Sequence, residues 1–202
     1  MYRPGRIDVR IPSPLVELRD EAMERRGVRL YLKRDDLIHP EIPGNKWRKL
    51  KYNIAAARDM GATTLLTFGG AYSNHIRAAA AAAGQYFGFD TIGVIRGEEH
   101  DLLNWSLEYA TTKGMRLVYL DRSTYRQKTS SAVLDDLRDQ FGDFYLIPEG
   151  GSNSLALRGC VELGQEIGAG FDVACCPCGT GGTLAGLAAG LLMVSERWVF
   201  RR

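Results

Sequence analysis

No stretch of this 202-residue sequence approaches the ~18 consecutive apolar residues that a membrane span requires, and Met1 to Arg10 contain no hydrophobic signal core. Charge of one sign is equally scarce. Lys and Arg total 26 against 24 Asp and Glu, and they are scattered, so a net charge of +2 gives no electrostatic reason to expect nucleic acid or an anionic membrane as partner. Internal repeats and low-complexity linkers are missing too, apart from one alanine run that reads as helix. Only four cysteines occur, Cys160, Cys175, Cys176 and Cys178, and three of them crowd one apolar stretch instead of spreading as a disulfide framework would. Cys175 and Cys178 form a C-x-x-C. A structural zinc site would want a second pair or nearby histidines, and His39, His75 and His100 lie far off in sequence. The cysteines read as small buried residues of a core strand, with metal or redox chemistry as the alternative. The expectation is a soluble, cytoplasmic globular protein whose 45% hydrophobic content fills one sizeable core or two small ones.

What is present is an alternation of short β-rich apolar runs with helical patterns, joined by Gly, Pro or capping residues, the pattern of a parallel sheet wrapped by helices. Strands are predicted at Arg29 to Lys33, Thr64 to Phe68, Thr91 to Arg96, Arg116 to Leu120, Phe144 to Ile147 and Asp172 to Cys176. A helix starts near Lys46, where Trp47, Leu50, Ile54 and Ala57 recur at helical spacing and Gly61 supplies the stop. A second runs from Ser73 through Ala78 to Ala83, small enough to lie very close on a sheet. Further helices are predicted at about Leu102 to Lys113, Ser130 to Phe141, Ser154 to Ile167 and Thr183 to Met193.

Ligands of open α/β sheets bind beyond the carboxyl ends of strands, where helix starts present unpaired N–H groups. Three joins are equipped for this. Gly179-Thr180-Gly181-Gly182-Thr183 follows a predicted buried strand and opens a helix; it fits a phosphate cup or, alternatively, a tight turn that needs glycine for geometry alone. No Lys follows its last glycine and the dinucleotide spacing is not met, which argues against a nucleotide-binding α/β protein. Gly69-Gly70-Ala71-Tyr72-Ser73-Asn74-His75 repeats the strand, glycine, helix order, and reads either as a simple N-cap or as a holder of a carboxylate or phenolate. Pro148-Glu149-Gly150-Gly151-Ser152-Asn153 is the third. Lys46 follows a Pro-Gly turn at a helix start, whose dipole disfavours a cation and so biases the side chain toward the neutral amine that attacks aldehydes.

Taken together, Lys33-Arg34-Asp35-Asp36, Gly44-Asn45-Lys46 with Arg48-Lys49-Leu50, Gly69-Gly70 with Ser73-Asn74-His75, Gly150 to Asn153 and Gly179 to Thr183 resemble, in this order, the fold-type II pyridoxal-phosphate enzymes. Within them the similarity is to the family of 1-aminocyclopropane-1-carboxylate deaminase and D-cysteine desulfhydrase, from Leu30 to about Gly190. The resemblance implies a two-lobed α/β fold like that of the tryptophan synthase β subunit, with residues 49–148 as the smaller lobe and 1–48 plus 149–202 as the larger. It implies pyridoxal 5'-phosphate as cofactor, held as a Schiff base by Lys46, with Asn74 on its 3-oxygen and with Lys49, Gly179, Thr180, Gly181, Gly182 and Thr183 at its phosphate. Lys46 and Ser73 are the implied catalytic residues, and Ser73, Asn74 and His75 the implied grip on the carboxylate of a small amino-acid substrate.

His75 tilts the resemblance toward the desulfhydrases, since the cyclopropane deaminases generally carry Gln there, while Tyr72 departs from the Gln usual in both. The implied activity yields a 2-oxo acid and ammonia, with sulfide when D-cysteine is the substrate, in a homodimer. Family members continue for about another third of their length beyond the last helix, and Met193 to Arg202, including Trp198, Val199 and Phe200, lose the family pattern. A truncated, non-catalytic remnant that binds an anion or a partner is therefore the competing expectation.

Overall fold

The structure, a computed structural model, describes residues 7–194. The tail residues Trp198, Val199 and Phe200 lie outside the described residues. Four parallel strands form the central sheet: β3 (Thr64–Gly69), β4 (Asp90–Arg96), β5 (Met115–Leu120) and β6 (Tyr145–Ile147), in the order β5-β4-β3-β6. All four are legible as apolar runs, and their registers pair Thr64 with Asp90, Thr91 with Met115 and Leu65 with Tyr145.

The sheet separates two layers of side chains because successive strand residues point to opposite faces. Leu65, Ile95 and Met115 pack on one face against α2 (Lys46–Asp59), α3 (Asn74–Ala79) and α4 (Trp105–Thr112). Leu66, Phe68, Ile92 and Val94 pack on the other against Tyr125 of α5 (Arg122–Arg126) and Val133 and Leu137 of α6 (Ser131–Phe141). Each fully buried side chain of this size contributes about 1.5–3 kcal/mol relative to exposure. The alanine run behaves as its small residues suggest: Ala78 to Ala83 are all buried, and from Ala80 to Tyr86 the helix widens into a π-type stretch. On the same sheet face Gly93 makes room for Met115, whose Sδ a side chain there would meet at 2.7 Å.

Outside this unit, β1 (Leu15–Leu18) pairs antiparallel with β2 (Leu30–Lys33), with α1 (Glu21–Glu24) between them. Neither β1 nor α1 is predicted from sequence; at four residues each they are too short to show a period. The chain closes with α7 (Ser154–Ile167) and α8 (Gly182–Val194), which lie against each other along a glycine seam. A side chain at Gly186 would meet Cys160 Cβ at 2.3 Å and one at Gly190 the carbonyl oxygen of Val161 at 2.1 Å. The expected lobe boundary between residues 48 and 49 falls inside the continuous helix α2. Its first turn rests on α7, where Gly159 approaches the carbonyl of Arg48, and its later turns rest on the sheet side.

One predicted strand is absent. Asp172 to Cys176 has no regular secondary structure and pairs with no described strand, and Val173 is 75% exposed. A strand is defined by a neighbour that takes its backbone hydrogen bonds, and composition supplies none. The cysteine reading changes with it: Cys160 is buried on α7, but Cys175 and Cys178 are exposed and Cys176 half-buried. No group of three or more His, Cys, Asp or Glu among the described residues could hold a metal ion. No helix among them is long and apolar enough to cross a membrane.

Candidate active site

The chain runs β3, β4, β5 outward in one direction and then returns to place β6 on the far side of β3. The order therefore reverses between β3 and β6, and an open sheet binds ligands beyond the strand ends at such a point. The turns that follow these two strands are the Gly69–Gly70 and Glu149–Gly151 joins. A cavity of about 280 Å3 lies there. Its walls bring together Lys46 and Lys49 from α2, Ser73, Asn74 and His75 from the start of α3, and Gly179, Thr180, Gly181 and Thr183 from the loop before α8. Residues from separated segments thus share one space, as their sequence pattern suggests.

Backbone geometry explains why glycine recurs in these walls. Gly150 and Gly151 both have positive φ, 65° and 72°, which no residue with a Cβ adopts readily. At Gly151 a Cβ would also meet the His75 ring at 3.3 Å and Lys49 Cβ at 3.4 Å. Gly182 does not line the cavity directly; it sits behind, where a Cβ would come 3.4 Å from both Lys49 Nζ and Ser152 Oγ. The loop is tied to the rest of the wall by Ser152 Oγ donating to Thr180 Oγ1 at 2.5 Å and by Asn45 Nδ2 donating to Thr183 Oγ1 at 2.5 Å.

The lysines carry the positive charge of this space. Lys49 is almost wholly buried and donates to the Gly150 carbonyl at 3.2 Å and to Thr180 Oγ1 at 3.5 Å. Burial lowers its pKa. Lys46 has its pKa lowered to about 8, by burial first and by the neighbouring Lys49 charge second. Loss of water around the ammonium is the largest cause. The one carboxylate in the wall, Glu149, is already engaged by Tyr125 OH at 2.9 Å and by Lys128 Nζ at 3.2 Å. An anionic ligand is what such a space takes.

At the start of α3 the capping reading holds: Ser73 Oγ accepts from the backbone N–H groups of His75 and Ile76 at 3.2 and 3.3 Å. Its own hydroxyl proton remains to donate, and Asn74 is exposed beside it. His75 is different. Its ring is buried, Nε2 lies 2.8 Å from Thr67 Oγ1, and Nδ1 has no hydrogen-bond partner. Burial, then the charges of Lys46 and Lys49, depress its pKa to about 3.

A second set of charges is not foreseen by the sequence. Arg48 is fully buried and donates to both oxygens of Asp35 at 2.8 and 2.9 Å and to both oxygens of Glu166 at 2.8 and 2.9 Å. Lys33 bonds Glu166 at 2.7 Å, and Ser13 Oγ donates to Asp35 at 2.6 Å. Burial opposes the Arg48 charge, but Asp35 and Glu166 outweigh it and raise its pKa. The Lys33-Arg34-Asp35-Asp36 marker thus supplies two members of a clamp behind α2, while Arg34 and Asp36 pair with each other at the surface. Only the long-range partner Glu166, 118 residues from Arg48, reveals this, and nothing in the local sequence announces it.

Comparison with known proteins follows the same line. The family model described as Pyridoxal-phosphate dependent enzyme matches residues 8–199. A bifunctional D-cysteine desulfhydrase/1-aminocyclopropane-1-carboxylate deaminase of Arabidopsis thaliana is 34% identical over 182 residues, covering 81% of this chain and 45% of that protein. A D-cysteine desulfhydrase of Salmonella paratyphi B is 33% identical over 196 residues, covering 89% of this chain and 58% of that protein. The crystal structure of an ACC deaminase homologue superimposes with a TM-score of 0.77 at 32% identity, covering 96% of this chain and 60% of that one. The chain thus spans between 45% and 60% of the length of these relatives.

Proposed function

This chain belongs to the pyridoxal-phosphate-dependent enzymes, and we propose that it acts within them as a lyase that deaminates a small amino acid, D-cysteine in first place. The reaction converts D-cysteine and water to pyruvate, ammonia and hydrogen sulfide. The observation that carries the reading is that the Lys46 amine and the Gly179–Thr183 loop open on one cavity. An aldehyde at one end of the cofactor and a phosphate at the other meet matching chemistry there: an amine of lowered pKa, and a glycine turn with two threonine hydroxyls beside Lys49.

When bound, pyridoxal 5'-phosphate supplies the electron sink for the charge left at the substrate α-carbon. The chain's own residues do the rest. Lys46 would hold the cofactor through its aldehyde and, once released, would serve as the base at the α-carbon proton, a task suited to an amine whose pKa of about 8 is near the working pH. Lys49 offers its remaining donor to the phosphate with Gly179, Thr180, Gly181, Gly182 and Thr183. Asn74, in the same wall, would hold the cofactor 3-oxygen with its amide. The Ser73 hydroxyl proton, free because Ser73 Oγ only accepts from the helix start, takes the substrate carboxylate together with Asn74. His75 stands in the same wall, but Thr67 gives its one hydroxyl proton to the Ile147 carbonyl and so accepts the ring proton at Nε2, which leaves a neutral ring no N–H to offer a carboxylate.

The reading includes a homodimer in the cytoplasm, two lobes meeting across the cavity with α2 shared between them, and no nucleic-acid partner, which the near-balanced charge of +2 supports. 1-Aminocyclopropane-1-carboxylate, which lacks an α-proton and must open its ring by another route, is the substrate to test beside D-cysteine. Titration of the purified chain with pyridoxal 5'-phosphate is expected to give an absorbance band at roughly 410–420 nm that Lys46→Ala abolishes, followed by pyruvate and ammonia release on adding D-cysteine. A folded chain that gives no band overturns the cofactor assignment; a band without product release overturns the activity and leaves a binding protein.

A further inference from the structure

Asparagine is among the best residues at a helix N-cap, where its side-chain oxygen accepts from the free N–H groups of the first turn. Asp20, Ser73, Asn104, Asp121, Ser130 and Asn153 all cap in this way the helices they precede. Asn45 stands at the same position before α2 and does not: its backbone is in the helical region, with φ −69° and ψ −1°, and its side chain makes no capping bond. The amide instead reaches across 138 residues of sequence and donates to Thr183 Oγ1 at 2.5 Å, in the first turn of α8.

What this bond does follows from the proton on the hydroxyl. A threonine side chain has one proton to donate and accepts on its lone pairs. With the Asn45 amide donating to it, Thr183 Oγ1 is engaged as an acceptor and its proton stays available. The Cys160 thiol behind the loop competes for that proton, but burial pushes the thiol pKa up and so keeps it protonated, a weak acceptor. An anion in the cavity, which Asn45, Lys49 and Thr183 all line, is the stronger taker, because a hydrogen bond to a charged acceptor is roughly twice as strong as one between neutral groups. A hydroxyl that accepts from an amide is also polarised into a better donor.

We propose that Asn45 is a positioning residue for the cofactor phosphate: it forgoes its helix cap to hold Thr183 as an acceptor, so that the Thr183 hydroxyl proton is aimed at the anion. This rests on the Gly179–Thr183 loop holding that phosphate. Because Asn45 directly precedes Lys46, the same bond ties the amine-bearing turn of α2 to the phosphate loop.

The expected signature is a loss confined to the phosphate. The purified chain is titrated with pyridoxal 5'-phosphate and with pyridoxal, which has the same aldehyde and no phosphate, and the ratio of the two dissociation constants isolates the phosphate contacts. Asn45→Ala is expected to lower this preference about fivefold or more and to leave pyridoxal uptake unchanged. Thr183→Val lowers it at least as far, and Asn45→Ala adds nothing in the Thr183→Val chain, since Asn45 acts only through that hydroxyl. Asn45→Leu, which keeps the volume, serves if Asn45→Ala does not fold. An unchanged preference in a folded variant, an equal loss for both ligands, or losses that add in the double variant overturn the positioning role. A raised preference overturns it as well, for it means that Thr183 donates to Asn45 and that removing Asn45 frees the proton. A wild-type chain that takes both ligands equally well overturns the phosphate cup itself, whereas a wild-type preference that Asn45→Ala leaves intact overturns this proposal alone. Inorganic phosphate, followed by phosphorus NMR on the cofactor-free chain, carries the same comparison if neither aldehyde is taken up.

Discussion

Arg48 and Lys46 leave the same turn of α2, two residues apart, into surroundings of opposite character. Arg48 points behind the helix, where Asp35 and Glu166 take up its guanidinium and Lys33 and Ser13 complete the carboxylates. Every charge there has its partner, and the buried cation is held more firmly charged than in water. Lys46 points forward into the cavity with Lys49 as neighbour, and its charge is weakened to a pKa of about 8. Where the fold completes a buried charge it holds itself together. Where it leaves one incomplete, it leaves work for a ligand.

Substitutions should divide along this line. The largest effect is expected for Arg48→Met, which leaves half-buried Asp35 with no cation and Glu166 with Lys33 alone and should cost about 3 kcal/mol of stability in urea unfolding; a neutral result would erase the distinction between the two sites. Lys49→Gln comes next. Losing one charge-assisted bond to the phosphate should weaken pyridoxal 5'-phosphate binding by about tenfold or more, read by titration, while urea unfolding changes little.

Lys46→Met sharpens the contrast from the other side: removing a half-buried cation whose amine bonds no described residue should leave stability at neutral pH equal or higher, the reverse of Arg48→Met. The last test concerns pH. The folded chain releases the Lys46 proton at about 8 while the unfolded chain holds it to 10.5. Between those values the unfolded state binds more protons, so this residue makes stability rise with pH. The wild type should gain on Lys46→Met across that interval in paired denaturation curves, and parallel curves would mean that the amine is not desolvated.

The sequence discloses the parts of the molecule whose logic is local. Strand runs such as Leu65 to Phe68, the helical spacing of Trp47, Leu50, Ile54 and Ala57, and glycine turns ahead of helix starts each carry their reason within a dozen residues. Lys46, Lys49, Ser73, Asn74 and the Gly179–Thr183 loop are found in this way and converge on one cavity. What stays hidden depends on distant neighbours. Asp172 to Cys176 has strand composition without a strand beside it. The state of His75 is set by Thr67 and Ile147, 8 and 72 residues away by number, and the role of Asp35 by Glu166. The cause of the Lys46 shift is hidden for the same reason, since helix position is visible in a sequence and loss of water is not.

The seam between α7 and α8 acts as a gauge block. One helix bears Glu166 and, through it, the grip on the lysine-bearing helix; the other carries the Gly179–Thr183 loop at its leading end. Main chain rests nearly on main chain where Gly164, Gly186 and Gly190 meet their neighbours. The span offered to a ligand is thereby fixed by backbone thickness, not by side chains that can swing or be exchanged. A single methyl group added at Gly186 would open that span, whereas drift on the outer faces of both helices leaves it as it is.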